Sequence, residues 1–283
     1  MARLGLGADT IAMVEPIRVD LSGVPQTLLW NLGRRAAAAR ASVLFEDPLA
    51  VQVFDRLEYD FGDVIQGARW HAVRVATFDA AVRRFLTRHP GGTVVALGEG
   101  LETQFWRVDN GRVRWLSVDL PAVLDLRQQV LPHDSRLGGH AGSALDLGWL
   151  DQLEPAEPVL VSAQGLFPYF RRNEVYELIA AIADRLPESS LVFDVVPEKM
   201  LELVRRLPGR ERDQAIELWS WLFNAGERAA LSQIKDVAAV RDLVPPLAPG
   251  VVPVILRAVR CLPRRVRYAL PVLPVLQMTF RSQ

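Results

Sequence analysis

The sequence predicts an α/β fold in which helices cover both faces of a mostly parallel sheet. Short runs rich in β-branched residues alternate with segments of helical periodicity over 91–196, and this alternation is typical of a doubly wound sheet. The first run, Thr93–Leu97, ends directly in a glycine-rich turn. Sheets of this class bind their ligands at such turns, so we expect a binding site there.

The chain ahead of the sheet is predicted to be helical. Leu28, Leu29 and Leu32 recur at helical spacing within 22–41, Pro48 after Asp47 has the form of a helix start, and a third amphipathic segment spans 70–87. We therefore expect an N-terminal helical region over about 20–90. Residues 1–20 carry charged side chains and no long apolar run, which predicts neither a signal peptide nor a membrane anchor.

The rest of the chain divides into three parts of one predicted domain, 1–283. Within the core, 91–196, we expect strands at Thr93–Leu97, 114–118, 139–143, 158–163 and 189–196, with helices at 99–108, 122–130 and 172–185. The segment 197–250 is predicted to be an inserted helical cap. The last part, 251–283, is expected to supply the final edge of the sheet through a strand at 251–256, a short helix at 257–261 and an apolar tail.

Composition narrows the range of partners. The 33 basic residues balance 33 acidic ones, and Cys261 is the single cysteine. A neutral chain has no overall field to attract nucleic acid or an anionic membrane, so we expect a small-molecule partner and neither of those. One cysteine predicts no disulfide within the chain and suggests a cytoplasmic location, and no residue pattern indicates a metal site. A homo-oligomer is compatible with the sequence.

Gly98 and Gly100 stand where the first predicted strand passes into a helix. A backbone without Cβ atoms can turn tightly and lie against a ligand. Asp119 follows at the end of the next predicted strand, where a carboxylate can accept hydrogen bonds from both hydroxyls of a ribose. The turn and the acid together predict a nucleoside cofactor.

Three residues of this turn favour S-adenosylmethionine over a dinucleotide. Thr103 takes the position of the third glycine of dinucleotide sites. Glu99 and Glu102 place negative charge where a pyrophosphate would bind, which is unfavourable for a dianion and tolerable for a sulfonium with an ammonium group. A nicotinamide-dependent oxidoreductase is the enzymatic alternative. Asp146 could accept from an adenine amine or could equally cap the helical segment that follows it.

Several motifs together resemble the leucine carboxyl methyltransferase family. They are ALGEGLETQFWRVDNGRVRWLSVDLPAVLDLRQQVLP, VDLSGVPQTLLWNLGRRA, DPLA and the helix that carries Arg74 and Asp79. Within the family the likeness is strongest to the tetracenomycin-type polyketide O-methyltransferases of bacteria. It runs from about residue 19 to 196. It implies a Rossmann-like class I methyltransferase fold, with a seven-stranded mostly parallel sheet, and S-adenosylmethionine as cofactor.

The resemblance also implies roles for individual residues. Arg74 matches the arginine that binds the methionyl carboxylate, Gly98 and Gly100 the cofactor turn, Asp119 the ribose acid, and Leu145 with Asp146 the adenine wall. Gln164 stands where the family usually has glutamate, so an amide replaces a charge near the cofactor's amino group. The predicted cofactor site comprises Arg74, Gly98, Gly100, Thr103, Asp119, Leu120, Leu145, Asp146 and Gln164.

The expected reaction is methyl transfer to an oxygen of a small acceptor. An in-line displacement needs positioning and desolvation rather than a protein nucleophile. A carboxylate acceptor needs no base, whereas a phenol benefits from one, and none of the four histidines is predicted at the strand ends. A carboxylate is therefore favoured over a phenol. A methyltransferase-like protein that binds without turnover is the non-enzymatic alternative.

The acceptor is predicted to bind beneath the cap against aromatic side chains. The candidates are Phe167, Tyr169, Trp219 and Phe223, because flat aromatic walls suit a planar polyketide-like acid. The same residues could instead join the cap to the sheet as ordinary core.

Overall fold

The computed structural model of the chain has a seven-stranded sheet at its centre. The structure describes residues 16–19, 21, 23–42, 44–61, 68–154, 157–205, 217–246, 258, 261–263, 266 and 274–282. A separate parallel pair consists of β1 (Ile17–Arg18) and β2 (Leu57–Glu58). The main sheet contains β3 (Thr93–Leu97), β4 (Arg114–Asp119), β5 (Leu137–Ala141), β6 (Val159–Ala163), β7 (Ser190–Asp194), β8 (Val237–Asp242) and β9 (Val275–Phe280). Its order is β5-β4-β3-β6-β7-β9-β8.

The described helices fall before, between and after these strands. They are α1 (Thr27–Arg40), α2 (Pro48–Arg56), α3 (Ala68–Arg88), α4 (Gln104–Val108), α5 (Pro121–Val130), α6 (Arg172–Arg185), α7 (Glu198–Val204) and α8 (Ala225–Leu231). No helix in the described part of the chain is long and apolar enough to span a membrane.

The predicted parallel sheet with helices on both faces is confirmed. β3 is buried along its whole length and pairs in parallel with β4 and β6, which explains its continuous apolar sequence. Its residues alternate between the faces: Val95 and Leu97 join the core cluster that contains Ile179 of α6, whereas Val94 and Ala96 join the one that contains Phe78 of α3. The carboxyl ends of β3, β4 and β6 therefore meet at one edge.

The N-terminal helical region is also confirmed. Asp47 caps α2, since its Oδ1 accepts a hydrogen bond from the Ala50 amide at 2.9 Å, as the Asp47–Pro48 pattern predicts. Leu28 and Leu32 of α1 pack in one cluster with Val123 and Leu126 of α5. The N-terminal helices thus lie against the sheet domain beside the edge where β3 and β4 end.

The segment 197–250 departs from the predicted helical cap. Its described residues include α7 and α8 but also strand β8, which is the outer strand of the main sheet. The prediction that 251–283 supplies the final edge of the sheet is therefore wrong. β9, from that part of the chain, pairs antiparallel with both β7 and β8, so it lies between them and β8 is the edge strand. β8 was missed because its apolar run, 237–240, is short and half alanine, a residue with low strand propensity.

Some predictions lie outside the described residues. They are the strand at 251–256, most of the helix at 257–261 and most of 1–20.

Candidate functional site

A cavity of about 260 Å³ opens where β3, β4 and β6 end. The sheet order reverses beside β3, because β4 and β5 lie on one side and β6 and β7 on the other, and α/β sheets bind ligands at this kind of position. The turn after β3 forms one wall. Residues of α1 and the turn before it form another, including Val24, Leu28 and Asn31.

The turn after β3 has the backbone geometry that its glycines predict. Gly98 and Gly100 both have φ of +58°, a region that disfavours side chains. A Cβ on Gly98 would lie 2.7 Å from Leu166 Cδ1, and one on Gly100 would lie 3.1 Å from Leu28 Cβ. Both glycines line the cavity and let its walls approach each other closely.

Asp119, at the end of β4, faces the same turn. Its Oδ2 accepts a hydrogen bond from the Gly100 amide at 2.7 Å, and its Oδ1 accepts one from the Leu120 amide at 2.8 Å. Burial raises the pKa of Asp119, and these two hydrogen bonds oppose the rise. Each oxygen keeps a further lone pair for a ligand hydroxyl. Asp119 and Leu120 both line the cavity.

Glu99 and Glu102 do not present free negative charge. Glu99 Oε2 lies 2.9 Å from Arg127 Nη2, and burial raises the pKa of Glu99 although Arg127 opposes the rise. Burial would also raise the pKa of Glu102, but the charges of Arg107 and Arg35 outweigh it and lower that pKa to about 2. Both carboxylates are thus compensated by arginines. The charge argument against a pyrophosphate at this turn therefore does not hold in the folded protein.

Arg74 reaches the cavity from α3. Its Nη1 donates to Asp194 Oδ2 at 3.0 Å and its Nη2 donates to Asn31 Oδ1 at 3.2 Å. Its Nε is buried and has no hydrogen-bond partner among the described residues. A buried donor without a partner is costly, so this nitrogen is suited to an anionic ligand group.

Gln164 supplies the complementary acceptor. It follows β6, and its Nε2 lies 3.5 Å from Glu102 Oε2. Its Oε1 is buried without a hydrogen-bond partner in the part of the chain that the structure describes. Arg74 and Gln164 both line the cavity, and each has one buried atom without a partner among the described residues, a donor on Arg74 and an acceptor on Gln164. Such a donor and acceptor are the groups that the carboxylate and ammonium of an amino acid require.

Three residues of the predicted cofactor site do not line the cavity. Thr103 is fully buried and donates through Oγ1 to Asp47 Oδ2 at 2.6 Å. Asp146 accepts from the Ser143 amide at 2.9 Å in a capping box of its own turn, Ala144–Asp146. The segment after it, Gly148–Gln152, follows Leu147 and has no side-chain cap, so the prediction that Asp146 caps that segment is wrong. Leu145 packs against the core. Gly142, Ser143 and Ala144, just before them, line the cavity instead.

The predicted aromatic pocket is mostly core. Phe167 and Phe223 are fully buried and belong, with Trp221, to the main core cluster, and neither lines the cavity. Trp219 is partly buried and does not line it either. Phe167 and Phe223 thus pack in the core of the sheet domain, where aromatic side chains bury large apolar areas.

Of the predicted acceptor residues, Tyr169 alone lines the cavity, together with the neighbouring Phe170. Its hydroxyl donates to Thr27 Oγ1 at 3.2 Å. Burial raises the pKa of Tyr169, which keeps it a neutral phenol at neutral pH. Tyr169 thus connects the turn after β6 with the first residue of α1.

A buried charged network lies behind the turn, and no spacing in the sequence indicates it. Arg107 Nε lies 2.9 Å from Asp79 Oδ2, and its Nη1 lies 2.6 Å from Asp47 Oδ2 and 2.7 Å from Glu102 Oε1. Arg35 joins it at 3.1 Å from Glu102 Oε2. The network holds the N-terminal helices against the turn. No group of three His, Cys, Asp or Glu side chains that could hold a metal ion occurs within the described ranges.

Comparisons with known proteins agree with one another. A sequence model of the leucine carboxyl methyltransferase family matches residues 30–183, more than half of the chain. The tetracenomycin polyketide synthesis O-methyltransferase TcmP of Streptomyces glaucescens is 33% identical over 65% of this chain and 69% of its own length. The S-adenosyl-L-methionine-dependent methyltransferase dpfgK of Gibberella zeae is 29% identical over 62% of this chain and 65% of its own.

Solved structures show a similar fold. The plantazolicin methyltransferase BamL, in complex with a triazolic desmethylPZN analog and S-adenosylhomocysteine (SAH), has a TM-score of 0.55 at 10% identity, over 91% of this chain and 99% of its own. The related BpumL complex has a TM-score of 0.52 at 11% identity, over 91% of this chain and 100% of its own. At these identities the likeness concerns the fold alone.

Proposed function

The chain belongs to the leucine carboxyl methyltransferase family, and we propose that it transfers a methyl group from S-adenosylmethionine to a carboxylate oxygen of a small organic acid. Its dependence on S-adenosylmethionine follows from the family and its relatives. The choice of oxygen, and of a carboxylate before a phenol, is the proposal.

The cavity residues fit this cofactor by their chemistry. Gly98 and Gly100 would let the backbone lie against it, Asp119 would accept from the ribose hydroxyls, and the free Arg74 Nε and Gln164 Oε1 would meet the carboxylate and ammonium of its methionyl end. When bound, S-adenosylmethionine supplies an electrophilic methyl group on a sulfonium. The residues of this chain then bind, orient and desolvate the reactants.

The observation that carries the choice of a carboxylate is the lack of an available base among the described cavity residues. Glu99 and Glu102 are paired with arginines, and both oxygens of Asp119 accept backbone hydrogen bonds. No histidine of the described ranges lines the cavity, and Tyr169 is held as a neutral phenol. A carboxylic acid is already ionised at neutral pH and needs no base, whereas a phenol with a pKa near 10 would need one.

The acceptor class is proposed from similarity to a relative. TcmP is described as an O-methyltransferase of polyketide synthesis, and Tyr169 and Phe170 offer aromatic surface within the cavity of this chain. An aromatic polyketide-like acid therefore fits both observations. Such an acid is a small-molecule partner, in keeping with the neutral charge of the chain.

The test is transfer of a radiolabelled methyl group from S-adenosylmethionine to paired acceptors. Each pair consists of an aromatic acid with a free phenol and the same compound with either the acid or the phenol blocked. We expect label in the products with a free acid, and we expect mild alkali to release it as methanol, because esters hydrolyse and aryl ethers do not. Label that survives alkali and needs the free phenol would overturn the carboxylate proposal. The Arg74→Met variant controls for transfer that does not depend on this site.

A further inference from the structure

Asp194 connects two walls of the cavity without lining it. It lies at the end of β7 and is 1% exposed. Its Oδ2 accepts from Arg74 Nη1 at 3.0 Å, and its Oδ1 accepts from the Gly165 amide at 2.5 Å. One buried carboxylate therefore fixes both the guanidinium that reaches in from α3 and the turn that follows Gln164.

The other terminal nitrogen of Arg74 is anchored as well. Nη2 donates to Asn31 Oδ1 at 3.2 Å and lies 3.3 Å from His71 Nδ1. A guanidinium only donates hydrogen bonds, so His71 Nδ1 is the acceptor and the imidazole is neutral. Burial, followed by the charges of Arg74 and Arg35, lowers the pKa of His71 well below its ordinary value. With Nη1 and Nη2 both held, Nε is the nitrogen of Arg74 without a partner among the described residues.

The turn at Gly165 packs tightly against the same guanidinium. Gly165 has φ of +70°, and a Cβ there would lie 3.0 Å from Arg74 Nη1. A side chain at this position would be strained in its backbone and would press on the nitrogen that Asp194 holds. The close approach of Gly165 and the carboxylate of Asp194 thus fix Arg74 from two directions.

We infer that Asp194 is a positioning residue for the cofactor: it holds Arg74 so that the Nε–H is left for the cofactor carboxylate, and it holds the turn that follows Gln164, whose Oε1 would accept from the cofactor ammonium. The inference rests on the proposed role of Arg74. Asp194 also balances the charge of Arg74, which would otherwise be buried alone at a large cost.

The test measures the dissociation constant of SAH by calorimetry and the KM for S-adenosylmethionine. In Asp194→Asn the side-chain oxygen can still accept from Gly165, but the amide group turns a donor toward Arg74 and that anchor is lost. We expect both constants to rise by about tenfold or more with kcat changed by less than about threefold, because ground-state binding is what is lost. In an Arg74→Met background the same substitution should change the SAH constant by less than about threefold.

A second variant decides the matter if Asp194→Asn does not fold. Gly165→Ala keeps Asp194 and brings a Cβ against Arg74, so it should also weaken SAH binding by about tenfold. Gly111→Ala is its matched control, since Gly111 has φ of +76° and nothing within 4 Å of the added Cβ; it should lower the melting temperature without weakening SAH binding.

The outcomes separate the role of Asp194 from that of Arg74. The inference is overturned if Arg74→Met weakens SAH binding but Asp194→Asn leaves it unchanged or makes it tighter. If Asp194→Asn does not fold, the same result in Gly165→Ala overturns the inference. Unchanged binding in Arg74→Met overturns the assignment of Arg74 and the inference with it. Neither result depends on the acceptor, because SAH binding is measured without one.

Discussion

At the residue scale, Asp119 shows how one carboxylate can organise both the protein and its ligand. Its two oxygens accept from the backbone amides of Gly100 and Leu120, and each retains acceptor capacity. The hydrogen bond to Gly100 fixes a glycine whose φ is positive. Asp119 therefore shapes the turn before any ligand is bound.

Replacing Asp119 should weaken cofactor binding more than it destabilises the fold. In Asp119→Ala we expect SAH affinity to fall by about 1–3 kcal/mol, or roughly five- to 150-fold, because the hydroxyls of the ribose lose their acceptor. Calorimetry measures the change. Asp125→Ala is a matched control on the exposed side of α5 and should bind SAH as the wild type does. Equal affinity in the two variants would remove Asp119 from the cofactor site.

Glu102 should make the free energy of unfolding decrease as the pH falls into the acid range. Its pKa is about 2 in the folded chain, against an ordinary value of 4.5 that applies when the chain is unfolded. Its contribution is therefore fully present above about pH 5 and is lost as the pH falls toward 2, and it is on the order of 3 kcal/mol. Urea unfolding between pH 3 and pH 7 should show a smaller loss on acidification in Glu102→Gln than in the wild type. Parallel pH profiles for the two proteins would contradict the assignment.

At the element scale, the charged network explains how the N-terminal helices are joined to the sheet domain. Arg107 of α4 pairs with Asp79 of α3, with Asp47 at the start of α2 and with Glu102 in the cofactor turn. A single guanidinium thus links three separate segments beside the cavity. The arrangement of the helices and the shape of the turn are set together.

Removing Arg107 should be far more costly than removing an exposed arginine. Arg107→Met leaves three buried carboxylates without this partner, so we expect a loss of about 3–5 kcal/mol in the free energy of unfolding. Arg136→Met is the control, because Arg136 is a quarter exposed and pairs with Asp109 and Asp134 near the surface; its loss of stability should be much smaller, since solvent screens exposed ion pairs. Urea unfolding measures both. A similar small loss in the two variants would show that the network does not hold the helices.

At the scale of the whole molecule, the central sheet could be predicted because its strands are locally distinctive. Thr93–Leu97 and Val159–Ala163 are buried along their whole length and are mostly apolar, whereas β8 is an edge strand whose short apolar run is only partly buried. The cofactor turn could be predicted for the same reason, because two glycines after one strand and an acid after the next strand form a pattern within a short stretch of sequence. Edge strands and long-range pairs leave no such pattern.

The parts of the site that could not be predicted from the sequence depend on contacts between residues that are far apart along the chain. Arg74 and Asp194 are 120 positions apart, and Arg107 and Asp47 are 60 apart, so no spacing rule could join them. Asp194 did carry one readable signal, because it ends a strand as Asp119 does. The prediction of an aromatic pocket was wrong for a different reason. Phe167 and Phe223 are residue types that occur in pocket walls, but here both are buried in the main core cluster.

The central claim is that the cavity at the ends of β3, β4 and β6 holds the cofactor through Asp119 and Arg74. A crystal structure of the full chain with SAH tests it most directly. We predict the ribose hydroxyls within hydrogen-bond distance of Asp119, and the amino-acid carboxylate within hydrogen-bond distance of Arg74 Nε with Arg74 still paired to Asp194. SAH bound elsewhere, or bound here with its carboxylate away from Arg74, would contradict the account.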